Sequence, residues 1–366
     1  MNSTSYATHS VNVSAYIQQA GMDHGIAYCL DGATHRFLDN YSQKLRASIK
    51  LAAHIFNRAG HCEHEIDGLI SNLKLCRFFP SPDHDVVAVI EILQRYLLRS
   101  DFDQLNSMMP SRTAMGMFIA DLCERVRDEG ERTQAIADAI RWEHESKANS
   151  LMVKHAVEAA FADDVGVGAN KVSFFRKLYM PADHGAALSV YERVKNNEAL
   201  FQKEMSGEKV HRQPDALLRP DIDLIRRDLS TLKEHLDRAV WVKELLRGAV
   251  LTVDFSCIHG FYLSAIFLAG GHKKGSLEVL IRSIDRVWDE VTDGDGHARH
   301  WSESQCSWSG LFESNDTAKK TSLMLELEGR AMREKYVRPK GSASLPIFTF
   351  IQPATEGVQL QEILHA

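Results

Sequence analysis

The chain has 366 residues, 44% of them hydrophobic and 25% charged, the profile of a soluble globular protein large enough for two domains. Its net charge of −6 argues against a protein that grips nucleic acid by charge alone, although acidic and basic residues balance between 212 and 340, where a basic face can still form. No apolar run approaches the ~20 residues of a membrane-spanning helix. No secretion signal is expected of the opening MNSTSYATHS, and six cysteines scattered without CxxC spacing fit reduced thiols in a cytoplasmic protein.

Residues 35–146 read as helical. In 35–59 the apolar Leu38, Tyr41, Leu45, Ile49, Ala52, Ile55 and Phe56 recur three and four apart, the pattern of an amphipathic helix. Segments 65–79 and 84–98 repeat it, with Pro80 and Pro82 as breakers between them. His61, Cys62 and His64 place three potential zinc ligands close together, but no second pair accompanies them, so a structural zinc is not expected. Segments 114–127 and 132–142 read as a helical pair split near Gly130. The stretch around Gly166 and Gly168 is ambiguous, and 186–205 is helical again. The polar, proline-bearing segment 206–220 is the expected boundary.

Beyond it, 222–229 reads as a strand and 230–246 as a charged helix. Paired strands follow at 248–256 and 261–269, then a helix at 276–291 in which Trp288 shares a face with Ile281 and Ile284. A turn at 292–296, a helix at 318–336 and a last strand within 345–351 complete the chain. The expected fold class is α+β, with a helical region over 1–210, an antiparallel-sheet domain over 215–350 and a tail over 351–366. Trp301 and Trp308 fall in a polar loop, open to a ligand. His259 reads as a solvated turn residue, and His297 and His300 as part of a solvated loop. The GDG at 294–296 reads as a turn, because no strand–loop–helix motif surrounds it.

Several stretches, in this order, carry a resemblance. They are IRRDLS (225–230), Asp254 with Phe255, GFYLSAIFLAGGHK (260–273), the helix ending in Trp288 with VTDGDG (291–296), and KYVRPKGS (335–342). Together they resemble the C-terminal domain of the replication initiators of filamentous phages (inoviruses) and their cryptic-prophage homologues. That resemblance implies a rolling-circle, HUH-type nicking fold. In such proteins a His-x-His pair on the second strand, aided by a carboxylate, holds Mg²⁺ or Mn²⁺. A tyrosine on a late helix then attacks the phosphodiester.

In this chain the two histidine positions are Tyr262 and Ser264, with Asp254 as the remaining carboxylate. A protonated phenol and a hydroxyl are poor ligands for a hard cation, and one carboxylate binds it weakly. No metal is therefore assigned, and Mg²⁺ or Mn²⁺ is expected only if nicking is retained. Tyr336 matches the nucleophile, but Gly329, Arg330 and Met332 replace the Tyr-Leu-x-Lys run that precedes it.

The resemblance implies single-stranded or hairpin DNA as partner. Arg226, Arg227, Lys273, Lys274, Lys335, Arg338 and Lys340 are the expected phosphate contacts, and Trp301 is a base-stacking candidate. The leading expectation is a replication-initiator-like DNA-binding protein of a phage or mobile element with reduced or lost nicking. One alternative is an active tyrosine-dependent single-strand endonuclease. The other is a helical regulatory protein without nucleic-acid activity, whose amino-terminal helices form a homo-oligomer or bind a protein partner.

Overall fold

A computed structural model describes residues 27–30, 33–36, 41–56, 71, 73, 84–98, 111–162, 166–205, 207–210, 220–256, 258–270, 274–313, 316–334, 337–340 and 348–351. In chain order these give β1 (Ala27–Leu30), β2 (Ala33–Arg36), α1 (Tyr41–Phe56), β3 (His84–Val86), α2 (Ala88–Leu98), α3 (Arg112–Arg132) and α4 (Ala135–Ala160). Then come β4 (Val167–Arg176), α5 (His184–Met205), α6 (Ile222–Arg238), α7 (Val240–Leu245), β5 (Leu246–Ser256) and β6 (Gly260–Gly270). The chain continues with α8 (Lys274–Val291), β7 (Gly296–His300), β8 (Gly310–Leu311), α9 (Thr317–Arg333), β9 (Val337–Pro339) and β10 (Phe348–Ile351). The fold is α+β. Among the described residues no helix is long and apolar enough to cross a membrane. The His61, Cys62 and His64 cluster and most of the expected helix 65–79 lie outside the described residues.

The amino-terminal helices bury a core of their own. Leu51 and Ile55 of α1, Ile90 and Leu93 of α2, and Ile119, Leu122 and Val126 of α3 pack together. Each such side chain, fully buried, contributes ~1.5–3 kcal/mol. The break expected near Gly130 falls later. α3 runs through Gly130 to Arg132, and the chain turns at Gln134, whose φ of 58° lies in the left-handed region.

The expected strand at 222–229 is a correction: these residues open α6. Asp221 caps the helix by accepting from the Leu224 N–H at 2.7 Å. Ile225, Leu229, Leu232 and Leu236 then recur three and four apart and are all buried. A window of eight residues was too short to separate the two periods.

A mixed set of short and long strands forms one antiparallel sheet of order β10-β5-β6-β4-β7, with β8 also paired to β4. β4, the stretch left ambiguous around Gly166 and Gly168, pairs with β6 from Val167↔Gly270 to Phe174↔Leu263. The sheet thus takes strands from both sides of the polar segment 206–220. One sheet face packs Leu251, Val253, Leu263, Ala265, Phe267 and Phe174 against α6 and α8. Trp288 of α8 seals that layer, as expected, and its Nε1–H donates to the Phe175 carbonyl at 3.0 Å. The other face packs Val250, Ile266 and Leu268 against Val153 and Val157 of α4 and Leu323 and Leu327 of α9. Ser146 on α4 donates its hydroxyl to the Ala331 carbonyl on α9, tying the two covering helices together.

The 291–296 turn has its own constraint. A Cβ on Gly296 would meet Thr292 Oγ1 at 2.5 Å and Trp288 Cδ1 at 2.7 Å, so only glycine lets β7 start this close to α8.

Candidate functional site

The alternation of side chains along a strand sends Thr252 and Asp254 of β5, Tyr262 and Ser264 of β6, and Lys171, Ser173 and Phe175 of β4 to the face under α9. Cross-strand pairing lines them up in rows. Thr252 pairs with Ser264, Ser264 with Ser173, and Ser173 with Arg299; beside them Asp254 pairs with Tyr262, and Phe175 with His297. The positions matched to the metal motif therefore do share one face. What occupies that face is a guanidinium.

Arg330 of α9 reaches down to the sheet. Its Nη1 donates to Thr252 Oγ1, Asp254 Oδ2 and Ser264 Oγ, each at 3.1 Å. Its Nη2 donates at 3.0 Å to Glu326 Oε1, one helical turn earlier. The same Glu326 oxygen accepts from Lys171 Nζ at 2.6 Å, while Oε2 accepts from Trp308 Nε1 at 2.7 Å. Lys171, Asp254, Glu326 and Arg330 are 5%, 3%, 5% and 4% exposed, so two cations and two carboxylates neutralise each other out of water. Burial pushes the Glu326 carboxyl up, but Lys171 and Arg330 together bring it well below the usual carboxylate range. Cys306 lies at the edge of this cluster; burial, with Glu326 beside it, raises its thiol to about 12, so it stays protonated.

These residues do not fit a divalent cation. Asp254, the one carboxylate at the motif positions, and Ser264 already bond a fixed positive charge, and a cation brought there would face Arg330 at contact distance. Among the described residues no group of three His, Cys, Asp or Glu is gathered to hold a metal ion.

Past the Arg330 cluster the row ends in aromatic rings. Phe175 and Tyr262 lie 4.9 Å apart at 30°, and His259 packs on Phe175 at 4.6 Å. His259 is 5% exposed, contrary to the solvated turn residue expected. Burial, then Arg299 and His297, lower its pKa to about 4, so it is neutral at pH 7. His297 and His300 lie on β7 and not in a loop, so their spacing of three sends them to opposite faces. His300 meets Asn170 Oδ1 at 2.8 Å and Asp285 Oδ1 at 2.7 Å.

Trp308 is 2% exposed and bonded to Glu326, which corrects its reading as an open loop residue. Trp301 is half-buried. Its Nε1–H donates to Ser173 Oγ at 3.0 Å, and its ring carries Lys171 Nζ at 4.7 Å and the Arg299 guanidinium at 4.2 Å.

Among the described residues the expected phosphate contacts are not gathered on one surface. Arg226, bonded to Asp223 at 2.7 Å, and the exposed Arg227 sit on α6, across the sheet from Trp301. Arg338 is buried: it pairs with Glu145 at 2.7 Å, donates to the Glu334 carbonyl at 2.9 Å and stacks 4.1 Å from Trp142. That geometry makes it a clamp between β9 and α4. Lys340 is exposed. Lys274 begins α8, and Lys273, Lys335 and Tyr336 lie outside the described residues.

The sequence reading missed Lys171, Glu326, Phe175 and Arg299. The signal for Glu326 was present, since it and Arg330 interrupt an apolar stripe made by Leu323, Leu327 and Ala331. Charged residues inside a buried stripe require partners on the surface they face.

No family model, curated protein or solved structure matches this chain.

Proposed function

We propose that this chain is a replication-initiator-like DNA-binding protein of a phage or mobile element that has lost metal-dependent nicking. The observation that carries this reading is the Arg330 guanidinium bonded to Asp254 and Ser264. A hairpin of two long strands with a carboxylate facing the second strand, and a late helix above it, fits the arrangement expected of the initiator domain. In place of an exchangeable divalent cation, the chain supplies its own fixed one. A fixed guanidinium neutralises Asp254, but with its Nη1 already on three oxygens it cannot also orient a scissile phosphate.

The test is incubation with a labelled hairpin oligonucleotide, with and without Mn²⁺, resolved on denaturing and native gels. The expected result is a native shift that weakens steeply with salt and is indifferent to Mn²⁺. A Mn²⁺-dependent covalent band, absent in Tyr336→Phe, would restore the active nickase. Absence of any shift at low salt would leave a regulatory protein acting through its helices.

A further inference from the structure

Phe175 and Tyr262 are large rings on neighbouring strands, and both keep partial exposure on the sheet face. Their 30° tilt and 4.9 Å separation approach the parallel stack that a third flat ring can extend. His259, buried beside Phe175, holds that ring from one side, so the pair is ordered before any ligand arrives. The surroundings are cationic. His297 is the cross-strand partner of Phe175, Arg299 follows two residues later on the same face, and Lys177 is exposed just past the end of β4. The carboxylate opposite Tyr262 is Asp254, whose charge is already met by Arg330.

We propose that Phe175 and Tyr262 form a base-stacking subsite for a single-stranded nucleic acid, with Arg299 and Lys177 as the cations facing its phosphates and His297 as a neutral neighbour. The inference rests on the nucleic-acid reading above but needs neither a metal nor Tyr336. Stacking tolerates any sequence, because every base has a π-face. The positive surroundings are independently visible in His297, whose pKa is lowered by burial and then by Lys177 and Arg299.

The test is fluorescence anisotropy with a labelled dodecamer of thymidylate and a matched strand whose central positions are abasic. Wild-type protein is expected to bind the thymidylate strand about tenfold tighter than the abasic one. Tyr262→Leu and Phe175→Leu should each weaken thymidylate binding by a similar factor and abolish the preference, whereas Tyr262→Phe should retain it. A ribothymidylate dodecamer run in parallel keeps the base and adds only the 2′-hydroxyl, so the strand that binds tighter identifies the sugar. Equal binding of both strands by wild type, or full affinity in both Leu variants, overturns the subsite and leaves the DNA-binding reading standing. No binding of any strand at low salt overturns both. If the Leu variants do not fold, the comparison of thymidylate with abasic strand on wild-type protein decides.

Discussion

Arg330 and Asp254 stand 76 residues apart in sequence and meet at 3.1 Å, each side chain 4% exposed. A contact of that kind stabilises chiefly by not being broken. Exchanging both charges for well-packed apolar groups is often nearly neutral, whereas removing one leaves the other buried and unpaired.

Arg330→Met is therefore expected to destabilise the protein by ~3–5 kcal/mol, read as a lower midpoint in urea at unchanged slope. Combining it with Asp254→Asn should cost clearly less than the sum of the two single changes. Strict additivity would show that the pair is not coupled.

Mn²⁺ at millimolar concentration should leave the Tm of the wild-type protein unchanged, because a cation that bound only the native state would raise it by mass action. A concentration-dependent rise would contradict the fit of Arg330 at Asp254 and Ser264.

Two buried groups set the acid limb of stability. Glu326 has its folded pKa depressed by Lys171 and Arg330, so its contribution is complete above its ordinary 4.5 and is lost as pH falls toward the folded value. His259 acts in the window above that. Its folded pKa of about 4 lies below the ordinary 6.5, so between those values the unfolded chain binds the extra proton and stability rises with pH. One such group contributes a slope of about 1.4 kcal/mol per pH unit within its window. In urea titrations at several pH values, His259→Gln should flatten the limb from pH 6.5 downward, and Glu326→Gln only below about 4.5.

Gly296→Ala should cost ~1–3 kcal/mol, since its Cβ would meet Thr292 Oγ1 at 2.5 Å and the Trp288 carbonyl at 2.9 Å. Gly294→Ala, with nothing within 4 Å but a φ of +85°, should cost less, and by backbone strain alone. Thermal melts of the two variants separate crowding from strain.

Arg338→Ala should lower stability through loss of its Glu145 pair and its Trp142 contact while leaving nucleic-acid affinity and its salt dependence unchanged. A reduced salt slope would make Arg338 a phosphate contact after all.

Much of the fold was legible where patterns ran long. The strands around Asp254 and Tyr262, the helix placing Trp288 in the core, and the helix of Leu323 and Leu327 all lie where periodicity put them. Ile222 to Leu229 misled because Arg226, Arg227 and Asp228 leave too few apolar positions in eight residues to tell period two from period 3.6. Asn170, Lys171 and Ser173 hid β4, since a strand carrying buried polar residues does not look central until their partners, His300, Glu326 and Trp301, are known. The candidate site was half visible. Asp254, Tyr262 and Ser264 were singled out for what they replace, but Arg330 was noted only as a departure from a pattern. Its role depends on a contact across the fold that no local spacing encodes.

The place of β4 between β6 and β7 sets an order on how the molecule comes into being. Val167 to Phe174 leave the ribosome long before Leu263 to Gly270, their partners, have been made. β4 must wait, unpaired, for nearly a hundred residues of chain, and the pairing it waits for closes a long loop, which is slow. A fragment starting near 211 would lack the strand that joins β6 to β7 and leave both with open edges, a surface prone to pair with other chains. The carboxyl-terminal half is thus a dependent of the amino-terminal one, completed by a strand it does not encode.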